Sequence, residues 1–136
     1  RKQTESKRLE EEEKNSNEVE APEFIYSYQY GTGTVHWTRL CSGEQFSHTL
    51  PQFNFYVNCS WCALPQEHIY FTGGYKGTIY MNEVVSFDRK SLTLTQRPPM
   101  LSVRYSHNSV YTGGYLYAIG GYNEARMNEC ERLSVS

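Results

Sequence analysis

The sequence predicts an all-β chain built from a repeated antiparallel sheet of four short strands. Three observations carry that reading. Aromatic residues make up 15% of the 136, twelve of them Tyr, while hydrophobic residues total only 38%. That balance suits short half-buried strands better than a Leu-rich helical bundle. The pair Gly73-Gly74 recurs 47 residues later as Gly120-Gly121, and self-similarity at such a period marks a repeat architecture. The neighbourhoods agree as well. His68-Ile69-Tyr70-Phe71-Thr72-Gly73-Gly74-Tyr75 overlays Tyr115-Leu116-Tyr117-Ala118-Ile119-Gly120-Gly121-Tyr122 without a gap. Pro51 overlays Pro98, and Met81-Asn82-Glu83 meets Met127-Asn128-Glu129 once the second copy is shortened by one residue.

The chain begins with a segment of different character. Residues 1–23 hold 13 of the 28 charged side chains, five basic and eight acidic, and Leu9 and Val19 are the only large aliphatics up to Pro22. So little apolar surface does not offset the entropy of ordering a packed element. Residues 1–23 are therefore expected to be a disordered or partly helical tail: a charged linker, or the end of a coiled coil whose heptads lie upstream of Arg1. Residues 24–56 read as the end of a preceding sheet. Phe24-Ile25-Tyr26-Ser27-Tyr28 and Val35-His36-Trp37 flank Gly31-Thr32-Gly33-Thr34 as a hairpin, with Trp37 as the anchor of a fourth strand.

Residues 57–97 form the first clear repeat. Strands are expected over 62–64, 68–72, 83–88 and 92–95, with turns at Pro65-Gln66-Glu67 and Arg89-Lys90-Ser91. Pro98-Pro99 closes the run, because proline cannot donate to a ladder. Residues 98–136 form the second repeat, with strands over 108–111, 115–119 and 129–134. Gly113-Gly114 supplies the positive φ values of a two-residue hairpin turn, and the chain stops at Ser136 before a fourth strand. Four strands per repeat of this length make a propeller blade. Propellers close with about four to eight blades, whereas this chain encodes at most about two and a half. Its open edges are expected to pair with the rest of a longer propeller or with another chain.

Few side-chain constellations point to chemistry. Cys59-Ser60-Trp61-Cys62, with Cys41, Cys130, His36, His48 and His68, suggests zinc only loosely, because a structural knuckle needs two ligand pairs and one is present. In the repeat alignment Cys59 and Cys62 fall on Ser106 and Ser109, which makes them small hydrophobes at the start of an inner strand. Asn58-Cys59-Ser60 fits the glycosylation pattern but falls in a segment that reads as core. The glycine pairs lack the Gly-x-Gly-x-x-Gly or Gly-Lys-Ser/Thr pattern of phosphate loops, so Gly73, Gly74, Gly120 and Gly121 are assigned a structural role. His107 is expected to bond backbone at a strand start, with no Ser/His/Asp set to make it a base. Nucleic-acid binding is not supported, since the tail is net negative and the remainder close to neutral. No apolar run approaches the roughly 18 to 20 residues of a membrane span.

Residues 57–136 resemble the kelch repeat: an apolar strand ending in Gly-Gly, a variable loop, an aromatic followed by Asp or Asn, and a later aromatic anchor. The matching elements are Arg104 and His107 before a first strand, Gly120-Gly121 after a second, and Phe87-Asp88 in a third. The sequence departs from that pattern with Leu94 at the usual Trp, and with Val57 and Ser60 at the Arg and His of the first blade. The resemblance implies a kelch-type β-propeller segment that binds another protein through the loops of one rim. On these positions the contacts would lie in the loops Tyr75 to Tyr80 and Tyr122 to Arg126, above all at Tyr75, Lys76, Tyr122, Asn123, Glu124 and Arg126, with Arg104 and Tyr105 near the next first strand. It also implies a cytoplasmic module without cofactor or metal, serving as the substrate-recognition part of a ubiquitin-ligase adaptor or as a cytoskeletal scaffold. Kelch-like propeller enzymes of copper-oxidase or sugar-isomerase type are the alternative, as is a truncated, non-functional fragment.

Overall fold

The protein is described from a computed structural model that covers residues 22–50 and 57–135. The charged segment 1–21 lies outside the described residues, and with it both readings of the tail.

The chain folds into three antiparallel sheets in sequence order. The first contains β1 (Phe24–Gln29), β2 (Thr34–Arg39) and β3 (Gln45–Thr49), hydrogen-bonded in that order. The second is four-stranded, in the order β4 (Ser60–Leu64), β5 (His68–Thr72), β8 (Val84–Asp88) and β9 (Thr93–Arg97). A two-residue ribbon of β6 (Tyr75–Lys76) and β7 (Ile79–Tyr80) rises between β5 and β8. The third sheet repeats this plan with β10 (Asn108–Thr112), β11 (Tyr115–Ile119) and β14 (Cys130–Ser134), and a second ribbon, β12 (Tyr122–Asn123) and β13 (Ala125–Arg126), stands at the same place. The Gly-Gly pairs end β5 and β11, and their backbone angles repeat: φ is 61° and 97° at Gly73 and Gly74, and 64° and 100° at Gly120 and Gly121.

Strand alternation fixes how the sheets stack. Successive side chains of a strand point to opposite faces, and on β5 both faces are apolar. Ile69 and Phe71 meet Phe24, Val35 and Trp37 of the first sheet and Leu50 just after it, together with Phe87 of β8. Tyr70 points the other way and joins Leu64, Val84, Met100, Leu116 and Ala118, the core shared with the third sheet. The second sheet is thus buried on both sides, and each repeat hides its apolar face only against its neighbour, as stacked repeats do. Burying a side chain such as Phe71 or Phe87 contributes about 1.5 to 3 kcal/mol, and both are essentially inaccessible to solvent.

Several sequence expectations need correction. Trp37 does not lie on a last strand. It sits on the middle strand of the first sheet opposite Phe46 of β3, as Phe87 sits opposite Leu94 of β9, so Phe46 takes the outer place expected for Trp37. Strand β3 was not anticipated, because Gln45-Phe46-Ser47-His48-Thr49 carries only one large apolar residue. Leu92 belongs to the turn, with φ of 57°, and the outer strand begins at Thr93. The ungapped overlay slips by one residue at the first hairpin, which has three turn residues (Pro65–Glu67) where the second has Gly113-Gly114. Ser60 pairs with Thr72 as Asn108 pairs with Ile119. Cys59 therefore stands in the place of His107, not Ser106, and Cys62 in the place of Val110.

Candidate interaction site on the glycine-rich rim

The two ribbons and the connection between sheets meet at the end of the strands marked by the glycine pairs. Each ribbon is pinned the same way: Met81 N–H donates to the Gly74 carbonyl and Met127 N–H to the Gly121 carbonyl, both at 2.9 Å. Each also pairs with the residue that leads into an inner strand. Val57 exchanges two backbone hydrogen bonds with Tyr75, both 2.9 Å, and Tyr105 exchanges two with Tyr122, at 3.2 and 2.9 Å.

This pairing brings four tyrosines together. The Tyr105 ring lies 5.0 Å from Tyr75, 5.2 Å from Tyr80 and 5.3 Å from Tyr122, at interplanar angles of 68°, 40° and 57°. These are edge-to-face and tilted arrangements that aromatic quadrupoles favour. All four rings are half-buried, so their mutual contact holds them while part of each faces solvent. Loss of water around Tyr105, then the phenols of Tyr80, Tyr122 and Tyr75 and a hydrogen bond with Tyr80, raise its hydroxyl above the usual tyrosine range. The Tyr105 phenol therefore keeps its proton at neutral pH. Around it lie the exposed Lys76, Ile79, Glu124 and Arg126 and the half-buried Asn123.

Sequence reasoning placed the contacts in the loops Tyr75 to Tyr80 and Tyr122 to Arg126 and at Tyr105, without singling out Tyr80 and Ile79 within the first loop. The available signal was the turn Gly77-Thr78, which sets Tyr80 opposite Tyr75 across a two-residue ribbon. Arg104 requires a correction in the other direction. It was expected among the contacts of the rim, yet its side chain is 1% exposed and turns inward. Its Nη1 donates to the carbonyls of Gly120 at 2.8 Å and Glu129 at 3.1 Å, and its Nη2 pairs with Glu131 at 2.8 Å. The Glu131 carboxylate also accepts from the N–H groups of Leu101 and Ser102 at 2.6 and 3.2 Å. Together these bonds latch the connection between the second and third sheets onto β14.

His107 supports the site from beneath. Its ring is buried, and Nε2 lies 2.7 Å from Thr72 Oγ1, which also reaches Ser109 Oγ at 3.0 Å. The bond therefore goes to a side chain of the preceding sheet rather than to backbone. Burial first, and then the Arg104 guanidinium, lower its pKa to about 4, so the imidazole is neutral at physiological pH and serves packing. The glycines make room for it. A Cβ on Gly73 would run into the Arg104 carbonyl and the His107 ring, and one on Gly121 would lie 2.8 Å from the Tyr105 carbonyl and 2.9 Å from His107 Cβ.

The cysteine motif resolves into two unrelated contacts. Cys59 is packed against the core between the first and second sheets, and Cys62 against the core between the second and third. The two thiols thus serve opposite faces, and burial pushes Cys59 up to about 11. Both are only partly buried, less than the sequence suggested.

The comparisons with known proteins agree with this geometry. The family model for the Kelch motif matches residues 104–136, the stretch from the Arg104 latch through the third sheet. This stretch of the chain is similar to a Kelch motif. It is also 39% identical over 59 residues to Kelch-like protein 23 of Homo sapiens, a match that takes in 42% of this chain and 11% of that protein. The chain thus spans only a small part of the length of this relative. In kelch terms, the second sheet is a complete four-stranded blade, and the third has its first three strands among the described residues. Among the described residues, no helix is long and apolar enough to cross a membrane, and no three His, Cys, Asp or Glu residues come together as a metal would require.

Proposed function

We propose that this chain is part of a kelch-type protein-interaction module and that the glycine-rich rim is its contact surface. The observation that carries the reading is the tyrosine cluster: four half-buried rings from three separate loops, brought together beside the exposed Lys76, Ile79 and Arg126. Aromatic residues and arginine dominate the energetics of protein interfaces, because they offer large, stiff contact area with a polar end. Tyr75, Lys76, Tyr105, Tyr122, Asn123, Glu124 and Arg126 remain the contacts in this proposal, with Tyr80 and Ile79 of the same loop now singled out and Arg104 reassigned to support.

The module reading extends to the faces of the stack. Val110 and Ile119 are 45% and 44% exposed on the outer face of the third sheet. By the repeat, these positions belong to the side on which the second sheet receives its neighbour. We read this face as covered by a further sheet of the same kind, from the rest of a longer chain or from another chain. A role in substrate recognition for a ubiquitin ligase, or in a cytoskeletal scaffold, in the cytoplasm, belongs to the same proposal.

The test is affinity capture with the wild-type chain and a Tyr122→Ala, Arg126→Ala double variant, alongside Leu92→Ala, whose exposed side chain lies in a turn at the opposite end of the strands. We expect the rim variant to lose most of the captured partner, about tenfold or more in affinity, while Leu92→Ala retains it. Equal capture by all three would remove the rim from consideration.

A further inference from the structure

We propose that the cavity between the second and third sheets, which reaches the end of the strands opposite the glycine-rich rim, binds a small monocarboxylate with an apolar body, anchored by Arg97. The cavity holds about 560 Å³, with Leu64, Pro65 and Tyr70 on one wall, Tyr111 and Leu133 on the other, and Arg97 of β9 lining it as well. Sites of a few hundred cubic ångströms with apolar walls and one or two fixed polar groups take small organic molecules. Arg97 is out of keeping with packing alone. It stands 47 residues after Leu50, as Pro98 stands after Pro51. Leu50 is buried at the first junction, where Trp37 also stacks on Phe46. At the second junction, the face of β8 and β9 that carries Val84 and lies beside Tyr70 presents Ser86 and Arg97 instead.

The guanidinium is held before any ligand arrives. Its Nε donates to Ser86 Oγ at 2.8 Å, and its central carbon lies 5.6 Å from the centre of the Tyr70 ring. The acids around the junction are engaged by other groups. Asp88 accepts from the N–H groups of Lys90 and Ser91 and faces His68, Glu67 pairs with Arg89, and Glu131 pairs with Arg104. Among the described residues, no carboxylate pairs with the half-buried Arg97. A guanidinium fixed through Nε still offers its two Nη groups, and a carboxylate accepts two such N–H bonds in parallel. One positive charge answers one negative charge. A phosphate group, with nearly two, would need a second cation, and His68 already faces Asp88. The leucine and tyrosine walls then take the apolar body of the ligand out of water.

The experiment titrates the full chain separately with phenylbutyrate, its uncharged amide, inorganic phosphate and an end-capped Gly-Ser peptide carrying one Glu, and follows backbone and tyrosine resonances. We expect saturable shifts with phenylbutyrate at residues 64–70, 97, 111–114 and 133–135, and about tenfold weaker binding of the amide. That comparison uses the wild-type chain, so it stands whatever a variant does to folding. Arg97→Gln should weaken phenylbutyrate about tenfold, and Arg97→Lys, which keeps the charge and loses the fork, about threefold. An amide bound as tightly as the acid, or phenylbutyrate affinity unaltered by Arg97→Gln, would overturn the proposal. Tighter binding of phosphate or of the peptide at the same residues would overturn the ligand class. Shifts confined to the glycine-rich rim, or no saturable shift with phenylbutyrate, would overturn the site, and none of these results bears on the interaction rim proposed above.

Discussion

Arg104 is buried at the junction of the second and third sheets, where it ties the connection between them to β14. Positioned before an inner strand and next to Tyr105, it has the sequence of a rim contact, but its guanidinium is spent on two carbonyls and the Glu131 carboxylate. Removing one partner of a buried pair leaves the other charge without compensation, at a cost of about 3 to 5 kcal/mol. Arg104→Met should therefore lower the midpoint of urea unfolding by that order, and a variant as stable as the wild type would show that the latch contributes nothing. His107 yields a pH effect. Its folded pKa of about 4 lies below the usual 6.5, so between those values the unfolded chain binds the extra proton and stability rises with pH. The stability linked to His107 is fully present above about pH 6.5 and is lost as pH falls towards 4. His107→Gln should flatten that acid limb in denaturation curves taken across the window, whereas an acid limb of unchanged slope would assign it to other groups.

At the scale of strands and turns, the glycines divide into two kinds. Gly114 has φ of 81° and open space where a Cβ would go, while Gly121 has φ of 100° and meets the Tyr105 carbonyl and His107. Gly114→Ala should cost only the strain of the left-handed backbone, about 1 to 2 kcal/mol. Gly121→Ala adds a collision that moves the sheet-to-sheet connection, so its thermal midpoint should fall well below that of Gly114→Ala; equal midpoints would mean that the close approach is easily relieved. This distinction was half legible in the sequence. The recurrence of Gly-Gly placed β5 and β11 at their observed bounds, because glycine is the residue that tolerates such angles. The Gly113-Gly114 turn was legible for the same reason. The turn Pro65-Gln66-Glu67 was legible too, but the ungapped overlay did not allow for its extra residue against Gly113-Gly114. Gln66 and Glu67 adopt positive φ of 68° and 69° without being glycine, so the glycine pattern did not register the insertion, and Cys59 was matched to the wrong neighbour. Strand β3 was missed because its exposed edge positions are polar, and Tyr80 was not singled out within its loop because a cross-strand partner is visible only once the ribbon is known.

As a whole, the molecule is a row of sheets in which each repeat supplies one wall of its neighbour's core, and the loops of one end gather into a surface that no single repeat could form. Tyr75 and Tyr80 come from the second sheet's ribbon, Tyr122 from the third's, and Tyr105 from the chain between them. In the proposed reading this surface would be placed by the rigidity of the stack, which gives the latch and the glycines a part in binding without contact to a ligand. Hydrogen exchange of the chain alone and with its captured partner tests the central claim most directly. Slowed exchange over residues 75–80, 105–106 and 122–126, with residues 65–67 and 113–114 at the opposite end unchanged, is the result the account requires. Protection confined to that opposite end, or spread evenly over the strands, would contradict it.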